Sequence, residues 1–326
     1  MFCLGVARRQ NLAPTPTHRV WLSAHHGMSG LRALAAGGLL LNAFAWGVSW
    51  WPFRQLQGLG VHPIWATALI YLAAWIVLAI VRPTAWREFA QNPGLWFLLL
   101  ASGLANVGFN WAVTVGDVVR VVLLFYLMPA WTVLLAWPIL GEKPSAGSLA
   151  RLSLAIAGVV IVLKTPESAW PWPQSLADGL ALMGGFSFAI TNVMLLRLRK
   201  VPSDASMLAM FSGGALMAGL AACAGLQWGV VDAFPAMAPG WLAWVGGLSV
   251  FVLIGNLGLQ YGAKRFSAST TSIIMLSEVV FASVSAVLLG AGELSNRVLL
   301  GGVLILLAAL LSTVSFGNNS AAGPHG

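Results

Sequence analysis

Four amide side chains stand inside apolar sequence. Asn106 and Asn110 are one helical turn apart, and Asn256 and Gln260 are one turn apart at an offset of 150. Polar side chains at membrane depth are costly unless they face a cavity or a partner helix. Amides at matched places in two halves of a chain point to a site between those halves. They could line a cavity and hold polar groups of a ligand. They could equally bond between helices and hold a bundle together.

Glu278 is the sharpest single candidate, a carboxyl group near the middle of a long apolar run. It could bind an amine or carry a proton. A neutral glutamic acid bonded to a neighbouring helix satisfies the same sequence. Arg120 is the only cation well inside an apolar run. It could attract a carboxylate or lock an outer gate, although an ion pair with Asp117 near the helix end is the plainer reading. Trp46, Tyr126 and Trp131 are aromatic residues within such runs and could stack a ligand or attract an ammonium group. Ordinary packing accounts for each taken alone. Pro129 removes a backbone hydrogen bond in mid-run and reads as a hinge or as a static kink.

The elements that must carry these residues follow from composition. The chain has 326 residues, 59% of them hydrophobic and only 8% charged. A soluble domain carries about 25% charged residues, so this chain cannot cover a surface in water. The net charge of +8 lies in short clusters between apolar runs, which suits orientation in a membrane rather than binding to nucleic acid. Cys3 and Cys223 fall in a tail and in an apolar run, and no metal-ligand spacing is present. Nothing in the sequence asks for a cofactor. The expected partners are a small-molecule substrate and the lipid bilayer, and the oligomeric state stays open.

An apolar run of roughly 17–25 residues spans a bilayer as a helix. Ten such runs are legible: 31–53, 64–82, 94–115, 118–140, 147–164, 177–198, 205–226, 241–262, 267–290 and 297–317. Residues 1–30 read as an irregular cytoplasmic tail without a signal-peptide core, and 318–326 as a second tail. Placing the N-terminus inside puts thirteen basic residues on the inner segments, Arg82, Arg87, Arg197, Arg199 and Lys200 among them. Only Arg54, Lys164 and Arg297 fall outside. Positive residues prefer the cytoplasmic side, so both termini are expected there.

The halves 31–165 and 175–317 read as two copies. The offset of 150 that pairs the amides also pairs Trp111 with Tyr261, and Leu127-Met128-Pro129 with Ser277-Glu278-Val279. Phe44 and Trp46 match Phe186 and Phe188 at an offset of 142, and Leu140-Gly141-Glu142 matches Ala291-Gly292-Glu293 after a one-residue slip from the offset of 150. Five spans is an odd number, so the copies are expected to run in opposite directions as an inverted repeat. The fold class is therefore an all-α membrane protein of ten transmembrane helices.

On Tyr126-Leu127-Met128-Pro129, Gly141-Glu142, Ser277-Glu278 and Gly292-Glu293, in that order, the chain resembles a member of the drug/metabolite transporter superfamily built from two EamA repeats. The resemblance covers residues 31–317. Glu278-Val279 departs from the Glu-Pro common in second repeats, which removes the proline kink there. Tyr126-Leu127-x-Pro129-x-x-Thr132 is similar to the branch that exports amino acids. The resemblance implies a secondary exporter of small metabolites by alternating access, in a bacterial inner membrane. Efflux of cationic compounds is the alternative of the same class. An intramembrane enzyme is the alternative of a different class, and it would need clustered His, Asp, Cys or Ser near the membrane surface. No Walker-type phosphate loop is present to drive a pump, and nothing resembles a channel filter.

Overall fold

The structure is a computed structural model that describes residues 18–141, 145–163, 173–263, 265, 274–275 and 277–321. Every regular element among them is helical. In chain order these are α1 (His18–Val48), α2 (Trp50–Gly58), α3 (Pro63–Val81), α4 (Thr84–Gln91), α5 (Gly94–Val115), α6 (Val118–Phe125) and α7 (Met128–Leu140). There follow α8 (Ala146–Leu163), α9 (Leu176–Arg197), α10 (Ser203–Gln227), α11 (Pro239–Ala263), α12 (Ser277–Leu288) and α13 (Asn296–Ala321).

Among the described residues, seven spans are long and apolar enough to cross a membrane: Ala33–Gly58, Pro63–Val81, Gly94–Val115, Val118–Ile139, Leu176–Arg197, Ser203–Gln227 and Pro239–Leu259. Three shorter apolar helices, Ala146–Val162, Ser277–Leu288 and Asn296–Ala308, fall on the other three runs. Helices close their own backbone hydrogen bonds, which is what a lipid interior demands. Large apolar side chains such as Ile80, Phe97 and Leu220 point outward at 74%, 65% and 63% exposure, a surface suited to lipid and not to water.

Four details depart from the sequence reading. Helix α1 begins at His18, inside the segment expected to be an irregular tail. The first run divides at Ser49, whose Oγ donates to Trp46 O at 2.8 Å, and Pro52 lacks the donor that would continue the ladder. The fourth run divides at Tyr126–Leu127, with Pro129 in the first turn of α7. Pro129 cannot donate to Phe125 O, and that freed carbonyl lies against Gly185, where an added methyl would fall 2.5 Å from it. The loop after α3 contains the short helix α4, which buries Ala85 and Phe89.

The two halves interlock rather than sit side by side. Helix α1 packs on α11 and α12, while α9 packs on α5 and α7. The correspondence reaches single residues. Phe44 meets Phe281 edge-on at 5.4 Å and 89°, and Phe186 meets Trp131 at 5.5 Å and 89°. A methyl on Gly258 would fall 2.6 Å from Gly38 O, and one on Gly108 would fall 2.7 Å from Leu180 O. Each contact maps onto the other by the offsets of 142 and 150 read from the sequence. Helices α3 and α10 pack on each other, as do α8 and α13. In the latter pair Gly158 and Gly301 approach reciprocally, because small residues let backbones come close.

Candidate functional site

The centre of the site is a contact between the halves. Tyr126 occupies the interruption between α6 and α7, where the helix gives up its ladder, and is 3% exposed. Its hydroxyl donates to Glu278 Oε2 at 3.0 Å. Glu278 stands in the first turn of α12, at the place that the offset of 150 matches to Met128, the first residue of α7. Helix α1 packs closely on the backbone there, since a methyl on Gly47 would fall 2.8 Å from the Glu278 main-chain carbonyl oxygen.

Aromatic side chains surround this pair. Phe125 lies 4.8 Å from Phe109 and 5.5 Å from Phe188. Trp131 packs on Phe186, and its buried Nε1 has no hydrogen-bond partner among the described residues. Trp46 packs against both large cores of the molecule. Trp50 Nε1 donates to Ser285 Oγ at 2.9 Å and ties α2 to α12. A carboxyl group, a phenol and an unsatisfied indole N–H in an apolar surround can bind an ammonium group or pass a proton. Such isolated polar groups are expensive in apolar surroundings and become useful when a ligand completes them.

Arg120 lies elsewhere and is fully engaged. Its Nε and Nη2 donate to Asp178 Oδ1 and Oδ2 at 2.7 and 2.9 Å, and Nη1 donates to Val162 O at 2.7 Å. The local pair with Asp117 is therefore replaced by a forked pair with Asp178 on α9. Asp117 instead caps α6, accepting from Arg120 N at 2.8 Å through Oδ1, and its Oδ2 accepts from Glu293 N at 2.7 Å. Val118 N donates to Ala291 O at 3.2 Å, and Arg54 Nη2 donates to Gly116 O at 2.6 Å. The start of α6 is thus sewn to α2, α8, α9 and the segment before α13.

The amides divide. Asn106 donates to Ser102 O at 2.8 Å and accepts from the Tyr71 hydroxyl of α3, so it bonds between helices. Asn256 donates to Val252 O at 2.9 Å on its own helix, the same arrangement one repeat later. Asn110 Nδ2 donates to Thr67 Oγ1 at 3.2 Å, and its Oδ1 has no partner among the described residues. Asn42 is buried with neither amide atom partnered there. The side chains of Gln260 and Pro129 lie outside those described. The structure brings Tyr126 and Glu278 together and keeps Arg120 and Asn106 apart from them. Sequence reasoning missed Asp178, Tyr71 and Thr67. The partly buried Arg120 meets a carboxylate 58 positions away.

A family model described as the EamA-like transporter family matches residues 33–164 and 175–314. No curated protein matches the chain. A crystal structure of a protein 18% identical in sequence superposes with a TM-score of 0.57, covering 86% of this chain and 96% of that one. At that identity the likeness is one of fold.

Proposed function

We propose that this chain, which belongs to the EamA-like transporter family, exports small polar metabolites such as amino acids across a bacterial inner membrane as a secondary carrier. Family and apolar helices make it a multi-pass membrane protein of a transporter family. Our reading adds ten crossings in two inverted five-helix repeats, both termini in the cytoplasm, and cargo held between the repeats.

The observation that carries it is the Tyr126–Glu278 bond. It joins the halves where the fourth run breaks at Tyr126, so it cannot survive a rocking of one half against the other unchanged. An incoming ammonium group offers the carboxylate a replacement partner, and Trp131 Nε1 offers a donor to the cargo's acceptor. A proton on Glu278 would neutralise it when the cargo leaves. This gives substrate and proton a shared seat, which is how a gradient of one can drive the other.

A carboxyl group bonded to Tyr126, beside the Phe125 ring, also suits cationic aromatic compounds, which supports a second reading as an efflux carrier for them. One experiment separates the two: flux in proteoliposomes with a panel of amino acids and of cationic drugs, with and without a pH gradient. Saturable, gradient-driven amino-acid flux supports the first reading. Flux of cationic drugs alone supports the second, and flux of neither class overturns both.

A further inference from the structure

A small cavity of about 10 Å³ lies between α1, α2, α3, α5 and α11, with Trp46, Ser49, Tyr71, Asn110 and Gly255 among its walls. That volume is about what one water needs. Asn110 is 1% exposed, and its Oδ1 lacks a partner among the described residues.

The hydrogen bonds around the cavity fix which way each polar wall group faces. Thr67 Oγ1 donates to Pro63 O at 2.9 Å. It has spent its proton and can only accept, so the end of Asn110 that meets it must be the amide N–H. The free end is the carbonyl oxygen. Ser49 Oγ spends its proton on Trp46 O, and the Tyr71 hydroxyl spends its own on Asn106 Oδ1. Ser49 Oγ and the Tyr71 hydroxyl therefore offer lone pairs and no proton, and Asn110 presents a carbonyl oxygen with no partner among the described residues. The rest is apolar or aromatic, Phe53 and Phe251 included.

A buried acceptor left unmade costs its desolvation, and Asn110 Oδ1 can be satisfied only by a donor. We infer that this cavity is a binding site for a hydrogen-bond donor the size of one heavy atom, accepted by Asn110 Oδ1. Water and an ammonium or primary amine head share that chemistry, and the aromatic rings favour the cation where one is present. The site is distinct from the Tyr126–Glu278 pair. Its test needs no transport, so it stands or falls apart from the carrier reading.

The test uses the purified full chain in two arms. The first is an experimental structure at a resolution that reveals waters, determined without added amines. The second is thermal unfolding in ammonium chloride against tetramethylammonium chloride at equal ionic strength, since the latter has no N–H and is too large. A density peak within hydrogen-bond distance of Asn110 Oδ1, with no ammonium effect, identifies the donor as water. A saturating rise in Tm with ammonium alone identifies a cationic donor. That rise should vanish in Asn110→Leu/Thr67→Val, which removes the acceptor together with the partner that would otherwise be stranded. Neither a peak nor an ammonium-specific rise overturns the inference, and both readouts on the unaltered chain remain decisive if the double variant fails to fold.

Discussion

At the scale of single residues, sequence and structure divide the polar groups into those satisfied and those waiting. Arg120 is satisfied. Breaking one side of a buried ion pair strands the other charge and costs roughly 3–5 kcal/mol. Arg120→Leu should therefore lower Tm sharply, because the Asp178 side chain is 3% exposed. Arg120→Leu/Asp178→Leu should recover most of the loss, and a double variant as unstable as the single one would contradict the pairing. Asn106→Leu strands the Tyr71 hydroxyl and should cost about 1–3 kcal/mol. Its effect should appear in the yield and Tm of folded protein more than in substrate affinity. Glu278 accepts from the Tyr126 hydroxyl across the halves, and its proposed role is coupling. Glu278→Gln keeps shape and hydrogen bonding, so it should fold normally, lose gradient-driven flux and retain exchange of substrate for substrate. Full gradient-driven flux in that variant would reduce Glu278 to a structural role.

At the scale of elements, the close helix pairs are equivalent by repeat, so their perturbation should be too. Gly108→Ala and Gly258→Ala each push a methyl within 2.7 Å of a facing carbonyl, and overpacking of this kind costs typically about 1–3 kcal/mol. Both should lower Tm by similar amounts. Gly219→Ala meets open space and should be neutral or stabilising. Helix α3 adds a pH-sensitive end. His62 caps it, its Nδ1 accepting from Ile64 N at 3.3 Å. Burial pulls the His62 pKa below the usual 6.5, with Asp232 opposing. A folded pKa below the unfolded one means stability is complete above about 6.5 and falls as pH drops below it. Exchange protection at the start of α3 should fade in that window, and His62→Asn, a cap without a titrating group, should abolish the dependence. The apolar runs and repeat offsets were legible because length and hydropathy are local properties. The break at Tyr126–Leu127 was half legible through Pro129. Helix α4 was not, since a short amphipathic turn between Arg82 and Asn92 looks like any polar loop. Asp178 escaped because its partner is 58 positions away and spacing carries no trace of that meeting.

At the scale of the whole molecule, paired contacts such as Phe44–Phe281 and Phe186–Trp131 describe two halves that exchange equivalent surfaces. In the carrier proposed above, alternation between two related packings of these halves would open a central site to either side. Orientation rests on the basic residues: reporter fusions near residues 60 and 170 should report the outside, and those near 88, 202 and 320 the inside. An external residue 202 would undo the ten-span map. The claim that the chain is a carrier is tested most directly by counterflow. Proteoliposomes preloaded with an unlabelled transported amino acid should transiently accumulate the labelled form above its outside concentration, with no other gradient imposed. Labelled uptake that only equilibrates, does not saturate and ignores preloading would contradict an alternating-access carrier.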